Sequence, residues 1–310
     1  MNETDEDEYK IEDIINEIFD DEDDVEYKEY SIELFKTKSV DKYRVNLSSL
    51  ETRLFSVKKK ITNPIHWTEK VGSTDIHWTV IPDPVLGLPT ASDKKVLTAI
   101  ESIIGQYMDI TGVIPSYLPV KMNQLVRVML DRPEIPSSEI PGSLLQRVQK
   151  SLNKLASVVV EKRYNGEEAE YFRIFDRLYK PEVTTKEDRD ISSYHIIVLG
   201  KPFMDALVST DTSIEYDKDT YKSLLEYPVA ISIYEYMMRI YKKEIPNVCE
   251  INYADFALSA GMDSKQKRYH LLNKIHAPLD ILKSNGIIDK WKIDQDDDKV
   301  IIKLLKNSSE

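Results

Sequence analysis

Residues 252–305 carry the pattern that most restricts what this chain can fold into. A short helical segment, a glycine turn, a long helix and two strands follow one another there. Apolar residues recur in the long helix at spacings of three and four, the period of a buried helix face; they are Leu272, Ile275, Leu279 and Leu282. Asn285 and Gly286 end this helix, and residues 287–293 and 299–305 predict a hairpin. This order is typical of a winged helix-turn-helix, whose second helix enters the major groove of DNA.

The opposite side of the long helix is basic. It carries Lys265, Lys267, Arg268, His270 and Lys274. Arginine and lysine supply contacts to phosphate and, at guanine, contacts that discriminate between bases. We therefore interpret these five residues as DNA-binding. The alternative that the pattern leaves open is a small α+β cap whose helix is basic by coincidence.

A second unit of the same order lies earlier in the chain. Ser92 is predicted to cap a helix over 92–107, a second helix covers 120–130, and a third begins at Ser143. Residues 157–164 and 169–178 then predict a hairpin. The exposed side of the third helix is predicted to carry the matching DNA-binding set, Arg147, Lys150 and Lys154.

The tetrapeptide Ile-His-Trp-Thr occurs twice, at 65–68 and 76–79, with Gly72 between the copies. Two strands folded about this glycine would bring the two His-Trp pairs close together. Two histidines with no cysteine nearby make a poor metal site. The repeat therefore predicts a structural hairpin and no metal.

The negative charge of the chain is concentrated at its start. Residues 1–30 hold 15 of the 54 acidic side chains and 2 of the 42 basic ones, so the net charge of −12 belongs to this segment. Because like charges repel, residues 1–50 are predicted to be an acidic, mostly disordered tail. An apolar stripe predicts a short helix over 9–19. This helix would either bind a groove on a partner or pack on the chain itself; a third hypothesis lays the tail over the basic face and limits nonspecific DNA binding.

Motifs for catalysis and for membrane insertion are missing from the sequence. There is no Gly-x-x-x-x-Gly-Lys-Ser/Thr run and no His-x-His pair, and Cys249 is the one cysteine. We therefore expect no enzyme activity, no cofactor and no catalytic or metal site. No apolar run approaches the roughly 18–20 residues of a membrane helix, and the acidic start has no signal core. A cytoplasmic protein without a membrane partner is the expectation.

Residues 61–305 resemble the replication initiator protein A family, which starts replication of theta-type plasmids. The resemblance rests on His-Trp-Thr-Val at 77–80, Gly-Leu-Pro-Thr at 87–90 and Asp-Lys-Lys-Val-Leu at 93–97. It continues through 144–164 and is strongest over 229–289, where Tyr234, Phe256 and Leu271 fall at family-like spacing.

The resemblance implies an α+β fold with two tandem winged-helix domains after the tail. The first, 51–185, would serve dimerisation and DNA binding, and the second, 190–310, would recognise DNA. Such a protein binds repeated sites in double-stranded origin DNA and recruits host replication proteins. The tail is a candidate for that recruitment, and the first domain for a homodimer. A winged-helix transcription regulator without an initiation role, or a protein-interaction module, are the alternatives.

Two features depart from the family pattern. Residues 296–298 at the second wing tip are all aspartate, which would repel phosphate. Pro278 lies inside the long helix, where its ring cannot donate a backbone hydrogen bond and is predicted to kink the helix. The DNA-facing part of the helix would then be only 264–276.

Overall fold

The computed structural model describes ten segments of the chain. They are residues 38–46, 54–56, 60–71, 73–165, 168–180, 194–208, 213–240, 248–252, 268–294 and 299–305. Several sequence predictions lie outside these segments. They are the helix over 9–19, the short helix over 253–260, Lys265 and Lys267, and the acidic wing tip at 296–298.

The first unit is arranged around one long buried helix. Its elements are β2 (Ile65–Val71), β3 (Thr74–Ile81), α1 (Ala91–Thr111), β4 (Tyr117–Lys121), α2 (Met122–Leu130), α3 (Gly142–Ser157), β5 (Val159–Tyr164), β6 (Glu170–Phe172) and β7 (Phe175–Tyr179). The apolar residues that recur at helical spacing in α1 are all buried: Val96, Leu97, Ile100, Ile103, Ile104 and Tyr107. The helix begins slightly earlier than predicted, because Thr90 and not Ser92 is the N-cap. The Thr90 N–H donates to Asp93 at 2.6 Å, which closes a capping box.

Two predicted elements of the first unit are corrected by the pairing of strands. The segment predicted as a helix over 120–130 starts as β4 and becomes helical only at Met122. The strand predicted over 169–178 divides into β6 and β7, which belong to different sheets. Tyr117–Lys121 and Phe175–Tyr179 both pair with a later strand, Tyr194–Leu199, whereas Glu170–Phe172 pairs with β5. Local periodicity does not report a partner outside the hairpin.

The repeated tetrapeptide forms the predicted hairpin. β2 and β3 pair antiparallel with Trp67 opposite Trp78, and the two rings stack with centroids 6.0 Å apart and planes at 10°. His66 bonds Thr79 at 3.0 Å, and Thr68 bonds His77 at 2.9 Å. Each histidine is thus satisfied by a threonine of the neighbouring strand, as a structural hairpin requires. The sheet has the order β2-β3-β5-β6.

A second sheet joins regions on either side of residues 181–193. Its central strand, β8 (Tyr194–Leu199), pairs antiparallel with both β4 and β7. This strand lies inside the range 190–310, which the sequence analysis assigns to the second domain. Its pairing instead completes a sheet of the first unit. The domain limits 51–185 and 190–310 remain predictions. β8, from the second range, pairs with β4 and β7 of the first.

The second unit repeats the order of helix, helix and hairpin in the part that the structure describes. Its elements are α4 (Lys201–Val208), β9 (Ser213–Tyr216), α5 (Lys218–Leu224), α6 (Pro228–Ile240), β10 (Val248–Asn252), α7 (Arg268–Ser284), β11 (Ile288–Asp294) and β12 (Lys299–Leu304). The hairpin of β11 and β12 is confirmed. β10, which the sequence did not reveal, adds a third strand on β12 and contains Asn252, predicted as a helix cap. α7 continues through Pro278, whose ring lies on the buried face beside Leu279.

The N-terminal region contributes to this body. β1 (Tyr43–Asn46) pairs antiparallel with β9, so part of the range predicted as a tail is a strand. Tyr43 is buried and packs on Tyr221 with ring centroids 5.3 Å apart. The fold is α+β with two winged units, as predicted, and one continuous apolar core runs from Val40 to Ile302.

Candidate nucleic-acid interface

The exposed face of α3 is the best-described candidate surface for nucleic acid. Gln146, Arg147, Lys150 and Asn153 are exposed, while Val148, Leu152 and Leu155 on the opposite side are buried. The helix contains no aspartate or glutamate. Arginine and lysine bind phosphate and guanine, and asparagine and glutamine bind adenine, so this face carries the side chains that read a major groove.

The loop before α3 is held in place by hydrogen bonds from α2. Arg127 Nε donates to the Ile135 carbonyl at 3.0 Å, and its Nη2 donates to Ser137 Oγ at 3.1 Å. Asn123 donates to the same hydroxyl at 2.9 Å. At the end of α2, Asp131 takes a left-handed conformation with φ 51°. These contacts fix the turn between the two helices and therefore the direction in which α3 presents its face.

Lys154 does not belong to this face, which corrects its prediction as a DNA contact. It is 7% exposed, and its ammonium donates to Asp93 Oδ2 at 3.2 Å on α1. The same carboxylate accepts from Ser151 at 2.6 Å. Lys154 lies on the flank of α3 beside the exposed row, and α1 covers this flank. An ammonium buried against a carboxylate cannot reach a phosphate without opening the packing of α1 on α3.

In the second unit, α7 separates its polar and apolar sides as predicted over the described residues. Lys274 and His276 are exposed, and Ile275, Leu279 and Leu282 are buried. Arg268 and His270 lie in the first turn of the helix. The wing is tied to this helix through one side chain: Trp291 donates to Asp280 at 3.2 Å and meets the His276 ring edge-on at 4.8 Å.

A row of lysines on the outer face of the β10-β12-β11 sheet was missed by the sequence reasoning. The strand register places four of them on one face: Lys290, Lys292, Lys299 and Lys303. Lys303 pairs with Asp289 at 2.9 Å, and its hydrogen bond lowers the pKa of that carboxyl. Lys299 pairs with Glu250 at 3.1 Å. The signal was present as alternate lysines in β11, but the facing strand is needed to join both pairs into one surface.

Comparison with known proteins gives a likeness at the level of the fold. No protein-family model and no curated protein matches the sequence. Crystal structures of domains 2 and 3 of RctB superpose with TM-scores of 0.55 and 0.53, at 12% and 10% sequence identity. Each alignment covers 83% of this chain and 96% of the RctB chain.

The chain has the fold of RctB domains 2 and 3. An alignment of this coverage spans both winged units and so extends beyond a single helix-turn-helix. The Pi initiator protein, in a crystal structure with iteron DNA, aligns with 86% of this chain and 98% of its own length. Its TM-score is 0.47 and its identity 10%.

The described segments contain neither a metal-binding cluster nor a membrane-spanning helix. No group of three or more histidine, cysteine, aspartate or glutamate side chains among the described residues is arranged to hold a metal ion. No helix within those segments is long and apolar enough to cross a membrane. The surface that stands out there is the pair of exposed helix faces, on α3 and α7, with the lysine row beside the second.

Proposed function

We propose that this chain is a sequence-specific DNA-binding protein that initiates plasmid replication in the cytoplasm by binding repeated sites in double-stranded origin DNA. The observation that carries the proposal is the carboxylate-free, exposed face of α3, presented by a fixed turn in a winged unit. The second unit offers a comparable helix, α7. The role as an initiator follows from the resemblance of residues 61–305 to plasmid initiators.

The two helices would share the reading of one site. In this proposal Arg147 and Lys150 on α3 would contact bases or phosphates, and Arg268 and Lys274 would supply the counterpart on α7. The lysine row on the β10-β12-β11 sheet would hold the DNA backbone in place of the acidic wing tip. No catalytic step is needed for this role, and host replication proteins would perform the synthesis, recruited through the N-terminal tail. A homodimer through the first unit is part of the same proposal.

Removing the two cations of α3 tests the proposal. The double variant R147A/K150A should weaken binding to duplex DNA and reduce the slope of log K against log salt by about 0.9 for each phosphate that is no longer neutralised. The matched control is R173A/K201A, which removes the same charge from exposed positions outside α3 and α7. Fluorescence anisotropy at salt concentrations from about 50 to about 300 mM, over which phosphate binding weakens steeply, gives both quantities.

Equal decreases in affinity for the two variants would mean that overall charge, not the α3 face, governs binding. Weak binding that salt does not change would favour a protein-interaction module. A plasmid maintenance assay then separates an initiator from a transcription regulator, because a regulator binds its sites without sustaining replication.

A further inference from the structure

The two winged units meet through a polar cluster centred on α1. Consecutive residues of this helix contact different units: Asp93 accepts from Ser151 and Lys154 of α3, and Lys94 pairs with Glu235 of α6. Lys94 and Glu235 are 6% and 1% exposed. One turn of α1 thus contacts the candidate recognition helix of the first unit and a core helix of the second.

Further polar contacts surround the Lys94–Glu235 pair. Tyr221 of α5 donates to Glu235 at 2.7 Å, and burial with the nearby carboxylate raises the pKa of Tyr221 far enough to keep its proton in place. The same hydroxyl lies 3.4 Å from Thr98 of α1. At the rim, Lys218 and Lys222 of α5 bond Asp131, at the end of α2, at 2.6 and 3.2 Å. Burial opposes the shift, but these two lysines outweigh it and lower the pKa of Asp131.

We propose that this cluster, which we call the α1 clamp, fixes the separation of α3 and α7, so that Lys94 and Glu235 act as positioning residues for DNA half-site spacing. The clamp comprises Asp93, Lys94, Asp131, Lys154, Lys218, Tyr221, Lys222 and Glu235. A buried charge that loses its partner strongly destabilises its surroundings, whereas a pair replaced on both sides does not. The orientation of the units is therefore sensitive to either charge alone. The consequence for half-site spacing rests on the proposed function; the fixed separation does not.

The test measures the separation of the two helices without DNA. Nitroxides are attached to K150C on α3 and K283C on α7, both at exposed positions, in a full-length C249A background. Pulsed electron paramagnetic resonance should give one narrow distance distribution. K94M should broaden or shift it, because Glu235 is left buried without its cation. K94M/E235Q should restore it, since both charges are gone and the amide oxygen still accepts from Tyr221.

A milder variant keeps the test valid if K94M does not fold. D131N removes both rim ion pairs. Asparagine tolerates the left-handed backbone conformation of this position, so the variant should fold. It should broaden the distance distribution slightly. An unchanged distribution in folded K94M and in D131N overturns the clamp. Failure of K94M/E235Q to recover the narrow distribution overturns the role of the charge pair.

Half-site spacing is tested with a duplex selected from a random-sequence pool by the full-length chain. Inserting about 5 bp between its half-sites rotates one half-site relative to the other by about half a turn of the double helix, at roughly 10–10.5 bp per turn. The affinity of the parent protein for this duplex should decrease, and that of K94M should decrease less. Equal decreases overturn the spacing role while DNA binding stands. If no duplex is selected, the proposed function fails, and the distance measurement alone decides the clamp.

Discussion

At the scale of single residues, one buried histidine sets an expected pH dependence. His195 is 3% exposed on the central strand β8, and neither ring nitrogen has a hydrogen-bond partner among the described residues. Burial, with a smaller contribution from Lys180, lowers its pKa to about 4. The unfolded chain binds this proton near its ordinary pKa of 6.5. The contribution of His195 to the free energy of unfolding is therefore complete above pH 6.5 and is lost as the pH decreases toward 4.

H195L should remove this dependence. For the parent protein, we expect the free energy of unfolding to fall by about 2 kcal/mol between about pH 7.5 and about pH 5, from the difference in pKa between the two states. Aspartates with lowered pKa, such as Asp131, titrate below this window. Urea unfolding at the two pH values measures the difference. A parent and an H195L variant with the same pH dependence would contradict the assignment.

Asp93 gives a second prediction at this scale. D93A leaves the Lys154 ammonium buried without its carboxylate and should lower the free energy of unfolding by about 3–5 kcal/mol. D93A/K154M should be less destabilised than D93A, although it loses two polar side chains instead of one. Guanidinium unfolding of the three proteins checks the order. A double variant at least as destabilised as D93A would contradict the buried pair.

Lys154 also shows where reasoning from the sequence stops at the residue scale. Arg147, Lys150 and Lys154 are spaced three and four apart, and the pattern predicts one polar side for all of them. The structure separates Lys154 because α1 covers that flank and offers Asp93. A helical pattern records spacing along one helix. It does not record which neighbour lies on a flank or whether that neighbour carries the opposite charge.

At the scale of elements, Gly200 joins β8 to α4 where no larger residue fits. A Cβ at this position would lie 2.1 Å from the Arg173 carbonyl oxygen, at the bend between β6 and β7. G200A should therefore lower the melting temperature by several degrees, corresponding to about 2 kcal/mol or more. The control is G142A at the start of α3, where a Cβ meets nothing within 4 Å. Calorimetry of both variants should find G142A unchanged or slightly stabilised; an equal decrease in both would refute the close approach.

The elements differ in how well their sequences predict them. α1, α3 and the β11–β12 hairpin follow from amphipathic period or a turn signal, and the apolar residues of both helices pack into the core. The start of the helix predicted over 120–130 belongs instead to β4. The sequence did not reveal this strand, because Tyr117–Lys121 has no strand period of its own. It is a strand because β8, far later in the chain, pairs with it. A local sequence pattern identifies amphipathic helices and hairpins. It misses a strand that forms only by pairing with a strand distant in the chain.

At the scale of the whole molecule, the sequence predicted two units in succession, and the structure joins them. β8 completes a sheet with β4 and β7, and β1 pairs with β9. The α1 clamp adds the buried Lys94–Glu235 ion pair between the two units. Two helices that could bind DNA are therefore carried on a connected body. The basic faces were predictable from charge and spacing, whereas the connection depends on pairings that no local pattern encodes.

Selection of duplexes from a random-sequence pool by the full-length chain tests the central claim most directly. The account predicts a recurring sequence with two half-sites, bound at least about 10³-fold more tightly than a scrambled duplex at physiological salt. It also predicts that R147A/K150A loses the preference for one half-site and that R173A/K201A keeps both. A pool without enrichment, or an enriched sequence to which R147A/K150A binds as tightly as the parent, would contradict the account.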